Sequence, residues 1–208
     1  MKIIKDKRPL IYLAIAVAAA IVVLFIENPD MPRVDDASRD TFIPEFDSAL
    51  VARIEVTQLL EAAALEREGE DWKVTERISP MKKELYEKEG KDLPEEEWKP
   101  AERARVSHAL GGFGGLNKGI VVSQNPDNQE LFQVKNTGVN VLLLDKGGDE
   151  IAEVVIGKNG PDYGSTYVRR SNEDKVYLVD RALVGLFSPV ASDWLAQETQ
   201  KNPAEGSP

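Results

Sequence analysis

The sequence predicts an α+β fold: antiparallel β-hairpins arranged as a meander, with a few packed helices and one transmembrane helix before them. Three observations predict it. Leu10 to Ile26 (LIYLAIAVAAAIVVLFI) is an unbroken apolar run of seventeen residues. Beyond Val51, short β-rich or alternating pieces recur between turns built on Gly and Asn. Helical patterning in that part is confined to a few short stretches, chiefly PAERARVSHAL from Pro100 to Leu110.

As a helix rising about 1.5 Å per residue the apolar run covers roughly 25 Å, a little short of a hydrocarbon core, and the lysines of MKIIKDKRP can snorkel to close the gap. Residues 1–9 then form a cytoplasmic N-terminus and 10–26 the transmembrane anchor. A cleaved signal peptide fits less well. The triplets Ala14-Ile15-Ala16 and Ala18-Ala19-Ala20 are followed by IVVLFI, so cutting there leaves an apolar terminus, and Phe25 to Pro29 has no small-x-small pattern. A buried core helix fits the length and flanks worse still. Lys2, Lys5, Lys7 and Arg8 precede the run, while Arg33 stands alone just after it. The positive-inside tendency therefore puts the N-terminus in the cytoplasm and the body across the membrane, the periplasm if the membrane is a bacterial inner membrane.

Composition narrows the chemistry. A chain of 208 residues, 42% hydrophobic, is long enough for one domain with a core plus appendages. The formal charge is −10; Lys2, Lys5, Lys7, Arg8 and Asp6 lie before residue 27, so the remainder carries −13. A body that acidic disfavours nucleic acid and peripheral lipid as partners. There is no cysteine and one histidine, His108, so disulfides, thiolate nucleophiles and multi-histidine metal sites are excluded.

Residues 27–46, with three prolines and several acids, read as an extended extracytoplasmic tether. The folded domain is placed at 47–195. VARIEVT is a strand, and LEREGEDWKVTE a hairpin about Gly69 with Trp72 in the core. Residues 81–97 (MKKELYEKEGKDLPEEE) are a charged insertion or short surface helix, with lysines interspersed among acids in a way that argues against a metal cluster. Pro100 to Leu110 is a helix with Pro in its first turn, turning Ala104, Val106, Ala109 and Leu110 inward and ended by Gly111 and Gly112. GIVVSQ is a strand and PDNQELFQV a short helix. Two strands joined at Lys146-Gly147-Gly148 and two more joined at Ser171 to Asp174 make a four-stranded antiparallel meander, closed by Arg181 to Phe187 as a helix. REGEDWKV at Arg67 and RSNEDKV at Arg170 echo one another, as two related halves would. Residues 196–208 are expected to be a flexible tail.

Candidate sites are few. GGFGGLNKG, from Gly111, lacks the Lys-Ser/Thr of a P-loop and the spacing of a dinucleotide loop, and follows a helix instead of a strand; it reads as a helix terminator plus loop. Ser107 and His108 are adjacent on a helix, so their side chains diverge by about 100° and cannot act as a nucleophile–base pair. No catalytic, cofactor or metal residue is assigned, and the chain is expected not to be an enzyme. VVIGKNGPDYGSTYVRR, Val154 to Arg170, is the stretch most like a site. It is read first as a wide hairpin, with Tyr167 and Arg169 on one strand face and Val168 opposite. Tyr163, Tyr167 and Arg169 form its candidate protein-interaction face.

The same stretch carries a resemblance. IGKNGPDYGSTYVRRSNEDKVYLVD, with FQVKNTGVNVLLLDKGGDEIAEVVIG before it and LEREGEDWKV earlier, resembles the domain-of-unknown-function family numbered 4340. Trp72, Phe132-Gln133-Val134, Ile156-Gly157 and Tyr167-Val168-Arg169 occupy the places of the family's motifs. Gln133 stands where a glycine is usual, and the charged insertion is extra. The resemblance spans most of 47–195 and implies a membrane-anchored exported protein, in some relatives accessory to ABC-type export systems of the gliding-motility kind, with no catalytic residues. The expectation is a single-pass, N-in protein of the inner membrane whose periplasmic domain binds membrane-protein partners such as ABC-type transporter subunits. Its rival is a periplasmic domain that binds a small molecule or envelope polymer, or hydrolyses one.

Overall fold

The computed structural model describes residues 38–196. The chain divides into the units Met1–Asp36 and Ala37–Pro208, and the described residues lie in the second. The apolar run at Leu10 to Ile26 and all but the first residue of the expected tail are outside them. Among the described residues, no helix is long and apolar enough to cross a membrane.

The strands in chain order are β1 (Ser38–Thr41), β2 (Arg53–Gln58), β3 (Glu61–Glu68), β4 (Asp71–Arg77), β5 (Lys99–Ala101), β6 (Asn117–Ser123), β7 (Val139–Leu144), β8 (Glu150–Asn159), β9 (Thr166–Arg170) and β10 (Val176–Val179). The helices are α1 (Pro80–Glu89) and α2 (Arg103–Gly111). One antiparallel sheet takes all the strands in the order β1-β6-β10-β9-β8-β7-β2-β3-β4-β5. The expected four-stranded meander is β7 to β10. A second meander, β2 to β4, joins it where Arg53 to Thr57 pair with Leu144 to Asn140.

Alternation sets the inner face. In β2, Ile54 and Val56 are buried while Glu55 and Thr57 are half-exposed, and the register carries this across to Leu65, Val74, Leu143 and Val141. Val154, Ile156, Val168 and Tyr177 continue the face, and Trp72 is buried on it as expected. Each such side chain contributes about 1.5–3 kcal/mol relative to exposure. α2 covers this face with Val106, Ala109 and Leu110, helped by Phe113, Leu116 and the chain from Leu183 to Trp194. Phe113 stacks on Phe187 at 5.0 Å, and the Trp194 indole donates to the Ser188 carbonyl at 2.8 Å. A smaller cluster, Val134, Val155 and Val176 with Phe132 and Tyr167 against it, lies on the opposite face.

Four expectations are corrected. The sheet begins within the presumed tether: Ser38–Thr41 is a strand, and Phe42 and Ile43 are buried core residues. Pro100 lies in β5, held by the Trp72–Ala101 and Lys73–Pro100 register, so α2 starts at Arg103 and Ala104 is exposed. PDNQELFQV is helical only over Pro126–Asn128, as a single 3-10 turn. Arg181 to Phe187 is not a helix. Gly185 sits at φ +84°, and the Arg181 guanidinium is bound to the carbonyls of Gly111, Gly112 and Gly114 at 3.2, 3.0 and 2.8 Å, which pins the segment as turns over the end of α2. α1 belongs to the charged insertion and buries no side chain. Both echoed segments form turns, β3–β4 and β9–β10, at the same end of the sheet.

Candidate functional site: the connection between β8 and β9

The connection from Gly160 to Ser165 is held by its own polar groups. Asp162 Oδ1 accepts from the Ser165 backbone N–H at 2.9 Å and from its hydroxyl, and the Gly160 N–H donates to the Ser165 carbonyl at 2.8 Å. The Ser165 hydroxyl bond holds the Asp162 carboxyl below its ordinary range, so the clasp is made by a carboxylate. Gly160 cannot be replaced within this geometry, because a Cβ there would run into Ser165 Oγ and meet Leu178 Cδ1 at 2.8 Å. At the tip stands Tyr163, 78% exposed and at φ +57°, a backbone conformation that bulky residues rarely adopt.

Tyr167 and Arg169 share the face opposite Val168, as the strand reading expects, but both are engaged in the fold. The Tyr167 ring packs on Phe132 at 4.8 Å, with Lys158 Nζ over both rings at 5.8 and 5.9 Å. Arg169 Nε donates to the Val134 carbonyl at 2.9 Å, and its Nη1 to the carbonyls of Arg170, Ser171 and Glu173 at 3.2 Å each. A guanidinium suits this task because its fork of fixed donors satisfies several carbonyls together. Of the three candidate residues, Tyr163 alone is displayed.

Ile156-Gly157 is not a strand end, since β8 runs on to Asn159 with an irregularity in its register after Ile156. The backbone of Phe132 to Val134 crosses directly over Gly157. A Cβ at 157 would overlap the Phe132 carbonyl oxygen and come to 2.7 Å from Val134 Cγ1. The Lys158 N–H donates to that same carbonyl at 3.2 Å. Gln133, in the middle of the crossing, has φ +59°, a left-handed conformation that glycine adopts without steric cost. The glycines after α2 are likewise structural: a Cβ at Gly112 would meet Leu186 Cδ1 at 2.7 Å, and Phe113 and Leu116 between the glycines are core residues. Ser107 and His108 lie exposed on α2.

Three features escaped the sequence reading. On the inner face the Tyr177 hydroxyl donates to Glu173 at 2.5 Å, Glu173 pairs with Arg170 at 2.9 Å, and Arg170 donates to the Phe42 carbonyl. This chain of polar contacts ties β1 to the meander. Beside the end of β4 an open cleft of about 610 Å³ is lined by the stretch Leu93 to Glu97 together with Arg77, Lys83 and Lys99, and two of its lining residues, Arg77 and Glu96, form an ion pair. Third, the two-residue turn between β2 and β3 is Leu59-Leu60, both side chains exposed. Its signal was present in the sequence as a leucine pair where turn chemistry asks for Asn-Gly. Among the described residues, no group of three or more His, Asp or Glu is placed to hold a metal ion.

The family model described as Domain of unknown function (DUF4340) matches residues 92–205. The chain belongs to this family. No curated protein and no solved structure matches it. The matched span takes in the crossing over Gly157, the clasped loop and the whole β7 to β10 meander. The strand with Trp72, which the resemblance included, falls outside the match.

Proposed function

We propose that this chain is a single-pass, N-in membrane protein whose extracytoplasmic domain is a non-catalytic accessory subunit, binding partners such as the subunits of an ABC-type transporter or another membrane complex. The observation that carries the reading is Tyr163. An aromatic ring 78% exposed, on a strained backbone, in a loop stiffened by the Asp162–Ser165 clasp, is ordered before any partner arrives. Pre-ordered tyrosines contribute heavily to interfaces because little side-chain entropy is lost on contact. The apolar run at Leu10 to Ile26 supports the anchoring. The test is recovery of the tagged full-length protein from its native membrane in mild detergent, with partners identified by mass spectrometry. Near-stoichiometric membrane-complex subunits are expected with the wild type, and a drop on the order of tenfold with Tyr163→Ser. Recovery of the protein alone overturns the reading.

The cleft beside β4 favours a second reading, a domain that binds a small molecule or a segment of envelope polymer among the charged side chains that line it, Arg77, Lys83, Lys99, Glu95 and Glu96. Saturable ligand binding lost in Lys83→Ala, with no co-purifying protein, would select it.

A further inference from the structure

We propose that residues 197–201 (QETQK) lie as a further antiparallel strand along the open edge of the sheet, against residues 95–99, and so build out the wall of the cleft beside β4. The described residues already begin this strand. Ala101 and Leu195 form an antiparallel bridge, the Glu102 N–H donates to the Trp194 carbonyl at 2.7 Å, and the Ala196 N–H donates to the Pro100 carbonyl at 3.1 Å. Pro100 and Glu102 thus turn their backbone groups outward, while Lys99 and Ala101 turn theirs toward Val74 and Trp72 of β4. The same alternation aims the N–H and C=O of Trp98 and Glu96 outward, and neither residue has a backbone partner among the described residues. The β4–β5 register persists that far. Continued from Val74 and Lys99 it sets Arg77 opposite Glu96, and those two side chains form an ion pair. An unpaired run of strand edge therefore lies directly ahead of the chain as it leaves Ala196.

Charge and proline placement set how far the pairing runs. In the register that pairs Ala101 with Leu195, residues 198 and 200 meet the open backbone groups of Trp98 and Glu96, while Gln197, Thr199 and Lys201 stand opposite Lys99, Glu97 and Glu95. Glu96 and Glu97 are already paired, with Arg77 and Lys99, but exposed Glu95 has no ion-pair partner among the described residues. Lys201 supplies the opposite charge directly across from it, a cross-strand pair that stabilises this register over its neighbours. The next hydrogen-bonding position is Pro94, which has no N–H to give, and Pro203 follows on the other strand, so the ladder closes after Lys201. The family model continues to residue 205, past Ala196, so this stretch belongs to the family's domain. Strand alternation puts Thr199 and Lys201 on the face of Leu195, Lys99 and Glu97, all of which line the cleft.

The chain has no cysteine, so introduced pairs report without background. The full-length protein in mild detergent is oxidised as Glu97→Cys/Thr199→Cys and, separately, as Glu97→Cys/Gln200→Cys, and disulfides are read by non-reducing gel and peptide mass spectrometry. In the proposed strand, positions 97 and 199 form a non-hydrogen-bonded pair with Cα atoms about 4.5 Å apart and side chains on one face, whereas position 200 points to the other face. The expected result is an intramolecular disulfide that forms on the order of tenfold faster with 199 than with 200. Lys201→Glu, added to the first pair, is expected to slow it about two- to fivefold, and Glu95→Lys to restore it. Glu95 and Glu97 are exposed, so the fold is retained, which thermal unfolding checks. Equal rates at 199 and 200 overturn the proposal, as does a rate unchanged by Lys201→Glu. Disulfides that join two copies of the chain, in place of closing within one, assign the edge to a second copy and also overturn it.

Discussion

Replacing Gly157 with alanine adds one methyl group where the crossing segment leaves no room. The φ of Gly157 is not left-handed, so the cost is steric and not conformational. The added Cβ overlaps the Phe132 carbonyl oxygen and crowds Val134 Cγ1 and the Tyr167 carbonyl, at 2.7 and 3.1 Å. Backbone lies on both sides, so no side-chain rotation relieves it. If the Phe132 to Val134 segment holds its place, overpacking costs about 1–3 kcal/mol. If the segment lifts, it loses the Lys158–Phe132 hydrogen bond, about 0.5–1.5 kcal/mol, the Phe132–Tyr167 ring pair, about 0.5–1.5, and part of the charge-assisted Arg169–Val134 bond. The cheaper of the two sets the outcome, so the expected loss is about 1–3 kcal/mol. Urea unfolding of the full-length chain in mild detergent, followed by tryptophan fluorescence, reads it as a lowered midpoint at unchanged slope. Gly111→Ala, with nothing within 4 Å of the new Cβ, serves as control and should stay within about 0.5 kcal/mol of wild type. A Gly157→Ala midpoint as close to wild type as the control would refute the claim that this glycine exists for the crossing.

Gln133→Gly should stabilise by about 0.5–1 kcal/mol in the same assay, because relief of a left-handed φ outweighs the added freedom of the unfolded chain. Arg169→Lys should cost about 2–3 kcal/mol although charge is kept, since an ammonium cannot span the carbonyls of Val134, Ser171 and Glu173 together; a loss under about 0.5 kcal/mol would contradict the clamp. Burial, with the Glu173 hydrogen bond and charge added to it, pushes the Tyr177 phenol up to about 12 from 10.0. The folded state favours the neutral phenol, so this contribution is complete below pH 10 and is lost as pH rises from 10 through about 12, by roughly 2–3 kcal/mol. Burial raises the Glu173 carboxyl, but the Tyr177 hydrogen bond and the Arg170 charge outweigh it and leave it below 4.5. That contribution is present above pH 4.5 and fades as pH falls through the lowered value. Unfolding midpoints across pH for wild type and Tyr177→Phe should differ in slope between pH 10 and 12, and equal slopes would contradict the buried Tyr177–Glu173 contact.

The strands of the meander were legible because alternation and turn glycines are local signals, and Val154 to Arg170 shows both their reach and their limit. Its glycines, tyrosines and arginines were found. That Gly157 admits a crossing backbone, while Arg169 spends its donors on carbonyls, depends on Phe132 to Val134, a segment distant in sequence. The same limit explains Phe42 and Ile43: flanked by acids and prolines they read as tether, and only their pairing partners across the fold make them core. Arg181 to Phe187 has helical composition, yet the carbonyls at the end of α2 captured Arg181 first. Leu59-Leu60 looks like strand from sequence alone, because two leucines lie between β-rich pieces, and only the register makes them the entire turn.

The central claim, that the clasped loop presents Tyr163 to a membrane-protein partner, is tested most directly by a photo-crosslinking residue placed at 163 in the full-length protein in its native membrane, compared with one at Lys146. The account predicts a discrete protein adduct at 163, a subunit of a membrane complex, with none at 146. Adducts no more abundant at 163 than at 146, or adducts with lipid alone, would contradict it.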